Sequence, residues 1–275
     1  MKTIQLALLG IIISAGAILD SPKKKSVQNN TFFREYKDTV LQNKYSTIIM
    51  GRFIENDTTV ILKEYDKKNG KQCLNTIIYI EPNKNSIYYK EIAQPIFLHS
   101  GHGQYDLDAW RKYRQEKQKP PLSNIDLSGL PTDWIPLHSY KNHYYVFKPC
   151  EIDVPFRRCL TDSTLAYYSM EFYFNAIQKF EKKSNSLYHI ELESQDASSL
   201  SPTQIYIHII DRQKKVAIWE YRKENNSEYE LMIPIESAKY FDMLVCHTFM
   251  DKFFYVKLLK FDEIDFKTLL KQKTL

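Results

Sequence analysis

Three strand-like runs near the C-terminal end decide the fold class: QIYIHIID (204–211), VAIWEYRK (216–223) and EYELMIPIE (228–236). Each run is rich in β-branched and aromatic residues, which favour the pleated, half-buried surface of a sheet. The polar connectors RQKK and ENNS that separate the runs are short enough to form tight turns. This stretch therefore predicts three consecutive antiparallel strands.

The same succession of apolar runs and polar turns fills the N-terminal half of the chain. The predicted strands there are YSTIIMGRFIE (45–55), TTVILKEY (58–65), CLNTIIYIE (73–81) and SIYYKEIA (86–93). Helical spacing of apolar residues predicts an opening helix in 30–45 and a closing helix in 262–272, capped by Asp262 or Asp265. We therefore expect a mainly β fold, an antiparallel meander that forms a sandwich or an open barrel, with short peripheral helices.

The composition is that of a globular chain with a high aromatic content. Its 275 residues include 20 Tyr, 15 Phe and only 7 Gly, and 43% of the residues are apolar, which favours a folded core over disorder. The net charge of +5 includes short, dispersed lysine runs that fit solvated turns. No nucleic-acid-binding motif is present, so a nucleic acid is not an expected partner.

The N-terminal segment 1–17 has the layout of a secretory signal peptide. Lys2 gives a positive start, 6–13 form an apolar run, and Ala15 and Ala17 are the small residues that precede a cleavage site. We therefore expect an exported protein, periplasmic or extracellular. The alternative is an uncleaved anchor, because positive charges soon after an apolar run resist translocation. A membrane is an expected partner only in that case.

The remaining chain divides into a polar, flexible tether over 18–30 and a β-rich domain over 31–275. Residues 94–132 interrupt the strand pattern with a loop-like insertion that contains four prolines and three glycines. Long ordered loops in compact domains tend to carry function. The insertion is therefore the first place to look for a binding surface, and the alternative is a boundary between two sub-domains.

The redox state of the cysteines depends on the compartment in which the protein folds. The chain has four: Cys73, Cys150, Cys159 and Cys246. An oxidising compartment permits disulfides, and Cys150 with Cys159 is the predicted local pair because PCEIDVPFRRC suits a loop closed at its base. Four free thiols are the alternative. No CxxC motif is present, which disfavours a zinc site built on cysteines.

The stretch HSGHGQYDLD (99–108) contains the best candidate for a metal site. His99, His102 and Asp106 could hold zinc with a water in the fourth position, as hydrolytic zinc sites do. The HxxH spacing in a loop fixes no geometry, however, and Asp106 or Asp108 could instead cap a helix over the following residues. No cofactor is therefore predicted, with zinc as the alternative.

A predicted hairpin, WIPLHSYKNHYY (134–145), provides the candidate ligand-binding residues Trp134, Tyr140, His143 and Tyr145. Exposed aromatic rings bind sugars and peptides by stacking on their apolar faces. The alternative is a core hairpin, in which successive side chains point to opposite faces of the sheet.

Parts of the second half of the chain resemble known sequences. LPTDWIPLHSYKNHYYVFKP (130–149), RRCLTDSTL (157–165) and KFDEIDFKTLL (260–270) look like segments of uncharacterised exported or envelope proteins of bacteria. The resemblance agrees with the signal peptide and implies no active-site residues.

No organised catalytic set is recognisable, since GxSxG and the glycine-rich phosphate-binding motifs are absent. We therefore expect an exported β-rich binding or interaction protein without catalytic activity, whose ligand is a protein or a saccharide. Its contact surface would use 94–132 and the aromatic hairpin. The alternatives are a metal-dependent hydrolase that uses His99 and His102, and a membrane-tethered immunity or inhibitor protein.

Overall fold

The structure is a computed structural model. It describes residues 36–42, 44–99, 103–127, 129–150, 156–169, 171–193, 203–223, 226–249 and 259–271. The predicted signal peptide (1–17) and tether (18–30) lie outside these residues. In the described part of the chain, no helix is long and apolar enough to cross a bilayer.

Strands dominate the described residues. They are β1 (Tyr36–Gln42), β2 (Ser46–Glu55), β3 (Thr58–Lys68), β4 (Lys71–Glu81), β5 (Asp133–Tyr140), β6 (His143–Lys148), β7 (Arg157–Leu160), β8 (Thr164–Tyr168), β9 (Phe172–Ser184), β10 (Leu187–Leu192), β11 (Gln204–Asp211), β12 (Val216–Lys223), β13 (Asn226–Pro234) and β14 (Asp242–Thr248). The helices are α1 (Ile87–Ile92), α2 (Ile96–His99), α3 (Gly103–Glu116) and α4 (Phe266–Lys271), with a 3-10 helix at Ile235–Tyr240. The predicted mainly β, antiparallel fold with short helices is confirmed.

Eight of the strands form a closed barrel. Their order is β5-β13-β12-β11-β10-β9-β8-β7, and β7 pairs with β5 again. All of these neighbours are antiparallel. Closure depends on β5, which pairs with β13 through Trp134, Ile135 and Pro136 and with β7 through Asp133 and Trp134. The meander therefore closes on itself through two short ladders.

The other strands form an outer sheet that is continuous with the barrel through β5. Its order is β1-β2-β3-β4-β14-β6-β5. Strand β14 lies between β4, to which it is antiparallel, and β6, to which it is parallel. The chain thus leaves the outer sheet after β4, passes through 94–132, re-enters that sheet with β5 and β6, forms the other barrel strands β7 to β13, and returns as β14. The predicted sub-domain boundary inside 94–132 stays a prediction.

Apolar side chains fill the barrel. Trp134 and Trp219 are completely buried there, with ring centres 5.5 Å apart in an edge-to-face arrangement. Ile190, Ile207 and Met232 belong to the same cluster and are equally inaccessible. An eight-stranded barrel is just wide enough for side chains to fill it, and each large apolar side chain buried in this way contributes about 1.5–3 kcal/mol. The barrel is therefore a scaffold with a packed interior.

Two predicted elements are wrong. The region 30–45, predicted as a helix, contains the edge strand β1, and SIYYKEIA (86–93), predicted as a strand, contains helix α1. In α1, Tyr89 and Ile92 are the buried residues, and their spacing of three places them on one side of a helix. Packing on one face thus overrides the strand preference of these aromatic and branched residues.

The predicted disulfide between Cys150 and Cys159 is corrected by the structure. Cys150 is bonded to Cys246, with Cα atoms 4.3 Å apart. The pairing follows from topology, because the parallel neighbours β6 and β14 run side by side toward these two residues. Cys159 is a buried free thiol on β7, and Cys73 is a half-exposed one. A disulfide is compatible with an oxidising compartment.

Candidate binding surface on helix α3

The first part of the insertion 94–132 contains helices α2 and α3, and α3 is docked onto the barrel, whereas the sequence predicted a loop-like segment. Helix α3 packs through Leu107, which is buried, and Trp110, whose ring lies 5.5 Å from that of Phe174 on β9. Arg114, also on the inner face, is buried and donates hydrogen bonds to Glu193 and, over 2.9 Å, to the carbonyl of Pro120. Both apolar packing and a buried ion pair therefore fix the orientation of α3.

Helices α1 and α2, which precede α3, are held by buried polar groups of the barrel. The Arg157 side chain, on β7, donates hydrogen bonds to the carbonyls of Glu91, Ile92 and Gln94 at the C-terminal end of α1. The last carbonyls of a helix lack the regular intrahelical partner, and a cation there also matches the helix dipole; of the three carbonyls, that of Glu91 also accepts a hydrogen bond from the backbone N–H of Gln94. The Asp133 carboxylate accepts a 2.8 Å bond from the backbone N–H of Ile96, the first residue of α2.

The outer face of α3 carries two exposed tyrosines. Tyr105 is 74% exposed and Tyr113 is 53% exposed. Ala109 lies midway between them, so the three residues follow the i, i+4, i+8 spacing of one helical stripe. At 1.5 Å per residue the two tyrosines stand about 12 Å apart along the axis.

A stripe of alternating charge runs beside the tyrosines. Asp108, Lys112 and Glu116 repeat the same spacing and are exposed. Together with the tyrosine stripe they line a shallow depression on the helix. We call these six residues the α3 surface. It combines aromatic contact area, a small central residue and fixed charges on a rigid element.

The structure does not bring the predicted hairpin residues to one surface. Trp134 is completely buried in the barrel and Tyr145 is only 4% exposed, while Tyr140 packs against the core of the outer sheet. His143 is exposed but stands at the turn. The prediction of an exposed aromatic ligand site is corrected on this point, because the strands turn their aromatic residues into two cores.

The predicted metal ligands cannot be assembled from the described side chains. His102 lies outside the described residues, and of His99 only the backbone at the end of α2 is described. Asp106 lies in the first turn of α3, which begins at Gly103, so neither Asp106 nor Asp108 precedes the helix as a cap. Among the described residues, no three His, Cys, Asp or Glu side chains are grouped to hold a metal ion. The hydrolase alternative stays a prediction.

Sequence reasoning missed the groups that position α3. Arg114 and Arg157 bind partners 79 and 63 to 66 positions away, and no local pattern indicates such pairs. The tyrosine stripe was detectable, because Tyr105 and Tyr113 stand eight residues apart in a segment with helical features.

No protein-family model matches the sequence, and no curated protein and no solved structure matches it either. The functional argument for this chain therefore rests on its own residues.

Proposed function

We propose that the chain is an exported binding protein without catalytic activity, and that the α3 surface is where it contacts a protein partner. The observation that carries the proposal is the exposure of Tyr105 and Tyr113 on a helix whose opposite face is fixed to the barrel. Tyrosine is enriched at protein interfaces and supplies a large contact area at a low cost in side-chain entropy. Such a surface needs little reorganisation when a partner binds.

A protein fits this surface better than a saccharide does. The tyrosines are about 12 Å apart along the helix. This distance is too large for the two tyrosine rings to stack on opposite faces of one sugar ring. The charges between them alternate, with Asp108 and Glu116 flanking Lys112. A partner element that presents a basic, an acidic and a basic side chain in succession would match this stripe, and such matching gives register and specificity.

Export rests on the sequence of residues 1–17 and is supported by the disulfide between Cys150 and Cys246. Binding and export together are also what an immunity or inhibitor protein at the membrane would need. The exported binding protein and the membrane-tethered immunity or inhibitor protein differ in whether the N-terminal segment is retained.

Site-specific photo-crosslinking tests the proposal in the producing cells. Benzoylphenylalanine replaces Tyr105 or Tyr113 in the full chain, and the matched controls carry it at Tyr173 or Tyr240, which are 59% and 50% exposed elsewhere. We expect one and the same protein to be captured from both α3 positions and from neither control position. N-terminal sequencing of this protein, isolated from the same cells, should give a sequence that begins at Ile18 if the signal peptide is removed.

The captured partner then allows a quantitative test. Tyr105→Ser and Tyr113→Ser should each weaken its binding at least tenfold, because truncation of an interface tyrosine at a hot spot costs about 2 kcal/mol or more. Tyr173→Ser should leave the affinity unchanged. Equal capture from all four positions, or capture of glycans alone, would refute the assignment of the surface to a protein partner.

A further inference from the structure

Strand β1 is the edge of the sheet. Closure of the barrel gives every other described strand a hydrogen-bonded neighbour on each side, since β7 pairs again with β5. Among the strands that the structure describes, β1 pairs only with β2. An edge strand presents a row of backbone N–H and C=O groups toward a further strand, so it is a template for pairing with another chain.

The second half of this edge lacks the usual protection against pairing. Proteins protect edge strands with charged residues, prolines and bulges. The charged residues of β1, Lys37 and Asp38, stand in its first half, where the register with β2 is also irregular. The last four residues of β1 are uncharged and pair regularly with β2, and among them Val40 is 56% and Leu41 is 50% exposed. This half therefore presents a regular strand edge with accessible apolar residues.

Apolar residues reach this edge on both faces of the sheet. Leu41 lies opposite Ile48 of β2, and Ile48 belongs to the buried core of the outer sheet. Val40 lies opposite Ile49, on the other face, because successive residues of a strand alternate between the faces. A further strand with apolar residues at matching positions would extend both rows and bury Val40 and Leu41.

We propose that this further strand is β1 of a second copy of the chain, antiparallel to the first and centred on Val40. A twofold axis at Val40 places the two Val40 residues opposite each other, and Leu41 opposite position 39 of the second copy. The two Leu41 residues are then diagonal neighbours on one face, within reach of long side chains. The rows Ile49–Val40 and Ile48–Leu41 thus continue into the same rows of the second copy.

Charge and topology favour this pairing over others. A pairing centred on Lys37 or Asp38 would place like charges directly opposite each other, which destabilises a sheet. In the pairing centred on Val40, position 38 stands opposite Gln42, which is neutral. Each copy has one edge strand among its described strands, so two copies satisfy each other's edge and the assembly closes as a dimer. Its interface uses none of the residues of the α3 surface, so neither proposal depends on the other.

Analytical ultracentrifugation of the intact protein, isolated from the producing cells, tests the pairing. We expect a reversible equilibrium in which the mass doubles as the protein concentration rises. Val40→Lys and Leu41→Lys should each raise the dimer dissociation constant about tenfold or more, because apolar contacts are lost twice and like charges meet at the axis. The matched control is Ile54→Lys, which changes an exposed apolar residue of β2 outside the interface and should leave the dissociation constant unchanged.

Cysteine cross-linking tests the register. Cys73→Ser first removes the half-exposed free thiol. In that background, Val40→Cys should form an intermolecular disulfide on mild oxidation, because residues directly opposite each other have Cα atoms about 4.5–5.5 Å apart, within the range that a disulfide spans. Ile54→Cys in the same background should stay monomeric on a non-reducing gel.

Three outcomes would overturn the proposal. One is an unsubstituted protein that stays monomeric at the highest soluble concentration, which would mean that another segment of this chain or a strand of another protein occupies the edge. Another is a dimer that persists unchanged in folded Val40→Lys and Leu41→Lys. The third is a dimer that Ile54→Cys cross-links and Val40→Cys does not.

Discussion

His138 shows how burial alone sets the chemistry of a residue in this protein. Its ring stacks on Phe261 with centres 4.2 Å apart and meets the edge of Phe147. Burial lowers its pKa to about 4. The neutral imidazole therefore acts as an aromatic packing group in the outer sheet.

This histidine should make the fold sensitive to acid. Its pKa is lower in the folded chain than in the unfolded chain, so the unfolded state takes up the proton first and stability falls as the pH drops from about 6.5 toward 4. At about 1.4 kcal/mol per pKa unit, the free energy of unfolding should fall by about 2 kcal/mol between pH 7 and pH 5 because of His138. Urea denaturation at the two pH values measures this loss.

The matched variant is His138→Phe, which keeps the stacking on Phe261 and removes the titration. The decrease in stability between pH 7 and pH 5 should be smaller in the variant by about that amount. Equal decreases in both proteins would mean that His138 is not neutral and buried in the native state.

Among the elements, the hairpins were predictable and the packing of the insertion was not. Asn56 and Asp57 between β2 and β3, and Asn69 and Gly70 between β3 and β4, have positive φ values, the conformation that these residue types favour in tight turns. The strands around them follow from local sequence. Helix α1 depends instead on contacts with the 3-10 helix and with Arg157, which no window of sequence contains.

The candidate sites were likewise predictable from the sequence only in part. The sequence placed function in 94–132 and contains the spacing of Tyr105 and Tyr113, but it could not show which face α3 exposes. The hydrogen-bonded group of Tyr79, Tyr88 and His247 was beyond sequence reasoning, because His247 stands 159 and 168 positions from the two tyrosines. Its members meet only because β14 inserts beside β4.

The docking of the insertion should depend on Arg157. Arg157→Met removes three hydrogen bonds to carbonyls of 91–94, of which the bond to Ile92 is buried, and a buried acceptor left without a donor costs about 1–3 kcal/mol. We expect the free energy of unfolding to fall by about 1–3 kcal/mol. We also expect trypsin to cleave the insertion faster, as followed by mass spectrometry of the fragments.

The control for this experiment is Arg111→Met on α3. Arg111 forms a surface ion pair with Asp108 over 3.3 Å, and such pairs contribute at most about 1 kcal/mol. Equal rates of trypsin cleavage after Lys112 and Lys117, sites that both variants retain, in Arg157→Met and Arg111→Met would show that Arg157 does not anchor the insertion.

On the scale of the whole molecule, closure of the barrel is supported by a polar cluster inside it. The Arg158 guanidinium on β7 lies 3.1 Å from the Glu230 carboxylate on β13, and the Tyr221 hydroxyl donates a 2.7 Å hydrogen bond to the same carboxylate. These contacts join β7 to the two strands on the other side of β5, where the backbone ladders are shortest. Sequence periodicity predicts strands but cannot reveal such a closure, since β5 belongs to the barrel and the outer sheet at once.

The disulfide should stabilise the molecule as a whole, because it links β14 to residues 96 positions earlier in the chain. A disulfide typically contributes about 2–4 kcal/mol, and one that closes a long loop lies at or above the upper end of that range. Cys246→Ser should therefore lower the midpoint of urea denaturation by a corresponding amount, and dithiothreitol should do the same to the unsubstituted protein. Cys73→Ser, which changes a half-exposed free thiol, should have little effect. Peptide mapping without reduction identifies the bridge directly. A disulfide-linked peptide that contains Cys150 and Cys159 would contradict the pairing and would mean that Cys246 is a free thiol.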